Sequence, residues 1–320
     1  MIFGELPLDE AEGAILAAAV TTAQGVLRKG ATLGPEAIAA LRMAGVRRVL
    51  AARLEPGDVG EDAAALRIAR ALAGPGLGVG EAAAGRVNLH ALRDGLFDPD
   101  ATRVDAINAR DERVSVATLA AFTRVEAGRM VATVKIIPFA VPEALVGALE
   151  QDAPRPMLSL RPFAGTRLGL VQTRLASTRE TVLERTAELM AEKALSLGGT
   201  LAGEARVAHE AEALAGAVRA MAERCDVVVI FSASAVADAA DLAPRAIALA
   251  GGQVLRVGMP VDPGNLLVLG RLGEKPVVVA PGSARGARRN SLDPVLERLM
   301  AGLPLTAADL AGMGVGGLLL

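Results

Sequence analysis

The chain has 320 residues, 52% of them hydrophobic and 2% aromatic, with a formal net charge of −2. That length supports more than one domain with a substantial core, and the near-neutral charge with so few rings excludes a nucleic-acid surface, which needs a basic footprint or a stacking platform. A mean hydropathy of +0.40 comes from Ala, Val and Leu spread through amphipathic segments; no charge-free run approaches the ~20 residues of a spanning helix, so no membrane partner is expected. The acidic start, with Glu5, Asp9, Glu10 and Glu12, lacks the basic and apolar regions of an export signal, and the protein reads as cytoplasmic. The single cysteine, Cys225, excludes an intramolecular disulfide and reads as a small core residue. His90 and His209 have no metal-ligand spacing, so zinc is not expected.

Taken in order, residues 8–20 read as a helix entered by Asp9 and Glu10 with the favourable dipole sign. The chain turns at Gly30, Pro35 opens a helix over 35–44, Gly45 ends it, and 46–51 reads as a strand before the Pro56-Gly57 turn. These pieces predict a compact β-α-β-like unit. A helix is expected over 62–73, broken by Gly74 and Pro75; residues 79–87 are ambiguous, their alanines suiting a helix and their glycines not. Helical pieces follow over 88–94 and 102–109. Residues 114–119 are β-branched enough for a strand, and Gly128 turns the chain into a long strand that ends at Pro138. A helix over 142–149 leads to residues 151–156, where Pro154 and Pro156 make the best linker in the chain.

The second half alternates: strand 168–172, helix 178–197 with Leu183, Leu189 and Leu197 opposite its charges, strand 200–207, helix 210–224, strand 226–231, helix 242–250, strands at 254–257 and 276–280, and helix 292–301. Such alternation predicts an α/β fold with a doubly wound, mostly parallel sheet. The expected organisation is a mixed α/β N-terminal region at 1–155, the α/β domain at 163–303, and a C-terminal tail at 304–320 whose last residues, 312–320, are too rich in glycine for a defined element.

The loops after these strands are where parallel α/β sheets bind ligands. Ser232 and Ser234 offer hydroxyls to phosphate oxygens, and Asp241 is either the N-cap of the next helix or, with Asp238, a ligand for Mg²⁺ bridging phosphates. The loop holding Gly258, Pro260 and Gly264 has a backbone fixed by its prolines and glycines and can form a pocket wall. Pro281, Gly282 and Ser283 lead to Arg285, Arg288 and Arg289 before a helix capped by Asn290 or Ser291, a guanidinium-rich anion site or a solvated basic turn. Gln172, Thr173 and Arg174, with Ser177, Thr178 and Arg179, complete the edge.

As an ordered set, the strand at 226–231, its small-residue loop, Asp241 with Pro244, the Gly258–Gly264 loop and Pro281-Gly282-Ser283 resemble the molybdopterin-binding fold. That fold is shared by the adenylyltransferases and molybdenumtransferases of molybdenum cofactor biosynthesis. The match covers roughly 168–303; residues 27–49, and 125–138, are similar to parts of the molybdenumtransferases. As a whole the chain resembles the front module of bacterial proteins in which such a region precedes a nucleotidyltransferase, and no stretch here resembles that second module. Ser232-Ala233 stands where the family has a glycine pair, Ser283 where its late loop has Asn, and Gln172-Thr173-Arg174 where it has an acidic motif.

The resemblance implies a protein that binds molybdopterin, or its nucleotide- or metal-loaded form. Ser232, Ser234 and Asp241 would sit on phosphate and Mg²⁺, Asp241 and Asp238 would be the catalytic acids, and Gly258, Pro260, Gly264, Pro281, Gly282, Ser283 and Arg285 would shape the pocket. Three readings stay open: a Mg²⁺-dependent nucleotidyl or molybdate transferase, a non-catalytic carrier that serves a separate nucleotidyltransferase or molybdoenzyme, and another phosphate-ligand-binding α/β protein. Homo-oligomerisation is left open as well.

Overall fold

The computed structural model describes residues 1–153 and 155–319; Pro154, in the expected linker, and Leu320 lie outside the described residues. The chain forms two units, Met1–Leu160 and Arg161–Leu320.

The first unit is built from short antiparallel pairings. Strand Ile2–Pro7 pairs with Arg48–Arg53, which also pairs with Ile15–Leu16. The helix Pro35–Met43 buries Ile38 and Leu41 in a cluster with Leu6, Leu16, Leu33 and Val49. The β-α-β-like reading is therefore corrected, because both pairings of this sheet run antiparallel. The helix expected over 8–20 is replaced by a single 3-10 turn, Leu8–Glu10. Gly13 takes a φ of +78°, and beyond it Ile15 and Leu16 are drawn to Ala52 and Ala51 across the sheet, a tertiary pairing that overrides local helix propensity. Gly45, at a φ of +75°, ends the Pro35 helix as expected, with its N–H on Arg42 O and the Val46 N–H on Leu41 O.

A second core in this unit centres on the helix Glu61–Leu72, whose Ala64, Ala65, Ile68, Ala69 and Leu72 are buried. They join side chains from a four-stranded sheet of Val114–Thr118, Met130–Ile136, Arg86–Ala91 and Leu77–Val79. The helical piece expected over 88–94 is instead part of the strand Arg86–Ala91: Val87, Leu89 and Ala91 are buried and the residues between them are not, a period of two. Helices Ala101–Arg110 and Glu143–Gln151 fall close to their expected places. The strand Leu158–Pro162, next to Gly95–Pro99, was not foreseen.

The second unit carries the strands β1 (Arg167–Arg174), β2 (Thr200–Ala208), β3 (Val227–Phe231), β4 (Gln253–Val257), β5 (Val268–Leu272) and β6 (Lys275–Val279). Its helices are α1 (Glu180–Ser196), α2 (Ala211–Arg224), α3 (Leu242–Leu249), α4 (Leu292–Met300) and α5 (Ala307–Ala311). The sheet order is β2-β1-β3-β6-β5-β4. β1 runs parallel to β2 and β3, and β3 parallel to β6, while β5 is antiparallel to both of its neighbours. The fold class is thus mixed α/β with a mostly parallel sheet. β5 was unforeseen: it turns at Gly273, φ +57°, into a hairpin with β6. α5 was unforeseen too, although Thr306 and Asp309 form a capping box at its start.

Each sheet face has its own core. Leu168, Leu170, Val229 and Phe231 pack with Met190 of α1 and Leu296 of α4 on one face. Val171, Val228 and Ile230 pack with Leu214 of α2 and Ile247 of α3 on the other. Burial on both faces explains why these strands read as continuous apolar runs. Chain connections leave β1 toward β2 on one side and return to β3 on the other. The carboxyl ends of β1, β2, β3 and β6 share one edge; β4, antiparallel to β5, ends there too.

Candidate functional site

At that edge the loop after β6 builds an anion-favouring groove. Buried Pro281 leads into a 3-10 turn, Gly282–Arg285, anchored by fully buried Ala284. The turn points Arg285 back across the sheet edge. Its guanidinium donates to Thr186 Oγ1 of α1 at 2.7 Å and to Gln172 Oε1 of β1 at 3.3 Å, and it lies over the Phe231 ring, 4.9 Å from the centroid. Gln172, with no exposed surface, is itself fixed by donating to Leu183 O at 2.8 Å and Glu204 Oε1 at 2.9 Å. All of Arg285's partners are therefore neutral, and burial alone holds its pKa below the usual guanidinium value.

Beside Arg285 opens a cavity of about 780 Å³ whose lining includes Arg179, Arg185, Thr186, Leu189, Glu192 and Arg285. That volume lies in the ordinary range for small-molecule sites, roughly 300–1,000 Å³. Among the described residues, Arg179, Arg185 and Arg285 form no ion pair. Three guanidinium groups face two carboxylates, Glu188 and Glu192. Arg185 was not singled out from sequence; the only signal was the stripe Val182, Arg185, Thr186, Leu189 and Glu192, which recurs at helical spacing along α1.

The small-residue loop after β3 is closed by its own acids. Asp241 Oδ2 accepts the Ala237 and Asp238 N–H groups at 2.5 and 2.9 Å, and Asp238 Oδ1 accepts the Ala240 N–H at 2.7 Å. Asp241 stands at the N-cap of α3, but its side chain caps no helical N–H; it turns back to the loop. The two amides hold its carboxyl below the usual carboxylate range. Ser232 is half-buried and Ser234 exposed.

Sequence reasoning set His209 aside, yet it lies at the centre of this loop's contacts. The imidazole, just past β2, spans Thr173 Oγ1 at 2.9 Å from Nδ1 and Ser234 Oγ at 3.0 Å from Nε2. Thr173, with no exposed surface, also accepts the Ala233 N–H at 2.8 Å. The partners of His209 lie 36 and 25 residues away in sequence, so metal-ligand spacing was the wrong filter.

The remaining candidates are held by packing. Gly258 and Gly264 take positive φ, +76° and +115°. Gly264 lies against the start of α4, where Ser291 Oγ donates to its carbonyl at 2.6 Å and a Cβ would meet that oxygen at 2.2 Å. Pro260 is in the same loop, whose Asp262 N–H bonds Gly317 O and whose Asp262 O accepts the Leu319 N–H. Gly282 and Ser283 are exposed and open the turn that carries Arg285. Arg289 is tied to Glu297 by two bonds of 2.7 and 2.9 Å, and Arg288 is exposed. Among the described residues no group of three or more His, Cys, Asp or Glu could hold a metal ion. Asp238 and Asp241 each commit one carboxylate oxygen to loop amides. No helix among the described residues is long and apolar enough to cross a membrane.

Residues 5–53 match the family described as "Domain of unknown function (DUF8806)". No curated protein matches the sequence. Solved structures similar to the chain include the molybdopterin biosynthesis MoeA protein from Pyrococcus horikosii, 13% identical, covering 98% of this chain and 76% of that one with a TM-score of 0.30. A molybdenum cofactor biosynthesis protein B is 17% identical and covers 44% of this chain and 96% of that one, TM-score 0.32. The molybdopterin biosynthesis enzyme MoaB from Thermus thermophilus is 19% identical and covers 43% of this chain and 98% of that one, TM-score 0.29.

Proposed function

We propose that the second unit binds a phosphate-bearing small molecule in the groove between α1 and the Gly282–Arg285 turn. In line with the sequence resemblance, we take this ligand to be molybdopterin, or a nucleotide- or metal-loaded form of it, in molybdenum cofactor biosynthesis. The observation that carries the reading is the set of three guanidinium groups, Arg179, Arg185 and Arg285, lining one cavity without an ion-pair partner among the described residues. A planar guanidinium matches phosphate oxygens two at a time, and a partly buried one with only neutral partners gains most from an incoming anion. In this proposal Ser232 contributes a hydroxyl, and the loops of Gly258, Pro260 and Gly264 and of Pro281, Gly282 and Ser283 bound the ligand.

The carrier reading is favoured over transfer by one feature. The carboxylate of Asp241, the acid on which transfer would rest, accepts two amides of its own loop. A separate nucleotidyltransferase or molybdoenzyme would then be the partner. Calorimetric titration of the full chain with molybdopterin tests binding. Saturable binding that inorganic pyrophosphate displaces and added salt weakens is expected; no binding, or binding indifferent to pyrophosphate, would sink the anion-groove reading. Nucleotide turnover in the same mixture would decide for transfer.

A further inference from the structure

We infer that Ser234, His209 and Thr173 form an acyl-transfer site, separate from the arginine groove, in which Ser234 Oγ is a nucleophile toward small carboxylic esters. The arrangement is a hydroxyl within reach of an imidazole whose other nitrogen is oriented by a third group, the geometry that activates a serine. Its three members come from the carboxyl ends of three adjacent strands, β2, β1 and β3.

The orienting end is fixed. Thr173 has no exposed surface and already accepts the Ala233 N–H, which ties the loop carrying Ser234 to β1. With its proton on Nδ1, His209 donates to Thr173, and the Nε2 lone pair faces the Ser234 hydroxyl 3.0 Å away. The reactive end is open: Ser234 is exposed. The backbone N–H groups of Ser234 and Ala235 have no acceptor among the described residues, which leaves donors beside the hydroxyl for the oxyanion of a tetrahedral intermediate.

The class of ester follows from what surrounds the pair. Phosphoryl transfer calls on cations around the transferred group, and the partly buried guanidinium of the groove, Arg285, bonds Gln172. Successive strand residues face opposite sides, so Gln172 and Thr173 direct Arg285 and His209 to opposite faces of β1. An acyl oxyanion needs only N–H donors. The step balances within the site: the Ser234 Oγ–acyl carbon bond forms as the ester C–O bond breaks, and the hydroxyl proton passes to His209 Nε2 and from there to the leaving alkoxide or phenolate. Water, deprotonated by the same nitrogen, then cleaves the acyl-serine and restores the hydroxyl.

The test is p-nitrophenyl acetate with the full chain, following p-nitrophenolate release and locating the acetyl group by peptide mass after an acid quench. Exposed Ser115, on a strand of the first unit, is the internal reference. Acetylation of Ser234 is expected to exceed that of Ser115 by about 100-fold, the low end of general-base assistance. His209→Gln should bring Ser234 down toward the Ser115 rate, and Ser234→Ala should remove the excess phenolate release. Thr173→Val, whose shape is kept, should also slow Ser234, and urea midpoints show whether each variant is folded. Equal acetylation of Ser234 and Ser115, a Ser234 rate unchanged in both folded His209→Gln and Thr173→Val, or acetyl on His209 in place of Ser234, would overturn the assignment.

Discussion

Replacing Arg285 by Met separates binding from stability with opposite expectations. Met keeps an unbranched stem over Phe231, but it removes a bond to Thr186 at 2.7 Å and a longer one to Gln172 at 3.3 Å. Bonds from a charged donor contribute about 1.5–3 kcal/mol, the longer one at the bottom of that range, and the cation over Phe231 adds about 0.5–2 kcal/mol. Against this stands the cost of holding an unpaired guanidinium partly out of water, several kcal/mol. These contributions are of similar size and opposite sign, so R285M is expected to unfold in urea within about 1.5 kcal/mol of wild type. Ligand affinity should behave differently. Loss of one charge-assisted phosphate contact, about 1.5–3 kcal/mol, weakens Kd by roughly 10- to 150-fold. Urea unfolding and pyrophosphate or molybdopterin titration on one preparation read both quantities. A variant destabilised by more than about 3 kcal/mol that binds as wild type does would show that Arg285 is a structural strut, and the reasoning from its missing counter-ion would be wrong.

Gly169 of β1 tests the sheet core: a Cβ there would lie 2.3 Å from Met221 Cγ and 2.9 Å from Cys225 Sγ. Gly169→Ala should cost about 1–3 kcal/mol by overpacking, read as a lowered urea midpoint; an unchanged midpoint would mean that the β1–α2 contact is looser than its distances imply. The loop after β3 should open in acid. Asp241's folded pKa is depressed by its two amide donors, so the closure is fully present above the unfolded Asp value, about 3.9, and is lost as pH falls through the lower folded value. Amide NMR shifts of Ala237 and Asp238 should titrate below the ordinary Asp range and stop titrating there in Asp241→Asn; a midpoint at the ordinary value would refute the closure.

Much of the second unit was determined by sequence alone, because its strands are buried on both faces and its helices on one. Val227–Phe231 reads as an unbroken apolar run and α1 as a leucine stripe opposite charge, so element type follows from local pattern. Where the first unit relies on long-range pairing, local pattern misled: Ile15 and Leu16 sit in an alanine-rich stretch that suits a helix until Ala51 and Ala52 recruit them to a sheet. Residues 268–272 became β5 only through pairing with β4 and β6. The site divides the same way. Arg285 was legible as a cation after a strand, but its neutral surroundings depend on Gln172 and Thr186, 113 and 99 residues away. Asp241 was legible as an acid before a helix, yet only the turn of residues 237–241 made it a loop closure. His209 carried no local signal at all, because a side chain's chemistry is set by the partners that folding brings within about 3 Å, and Thr173 and Ser234 reach it from separate strands.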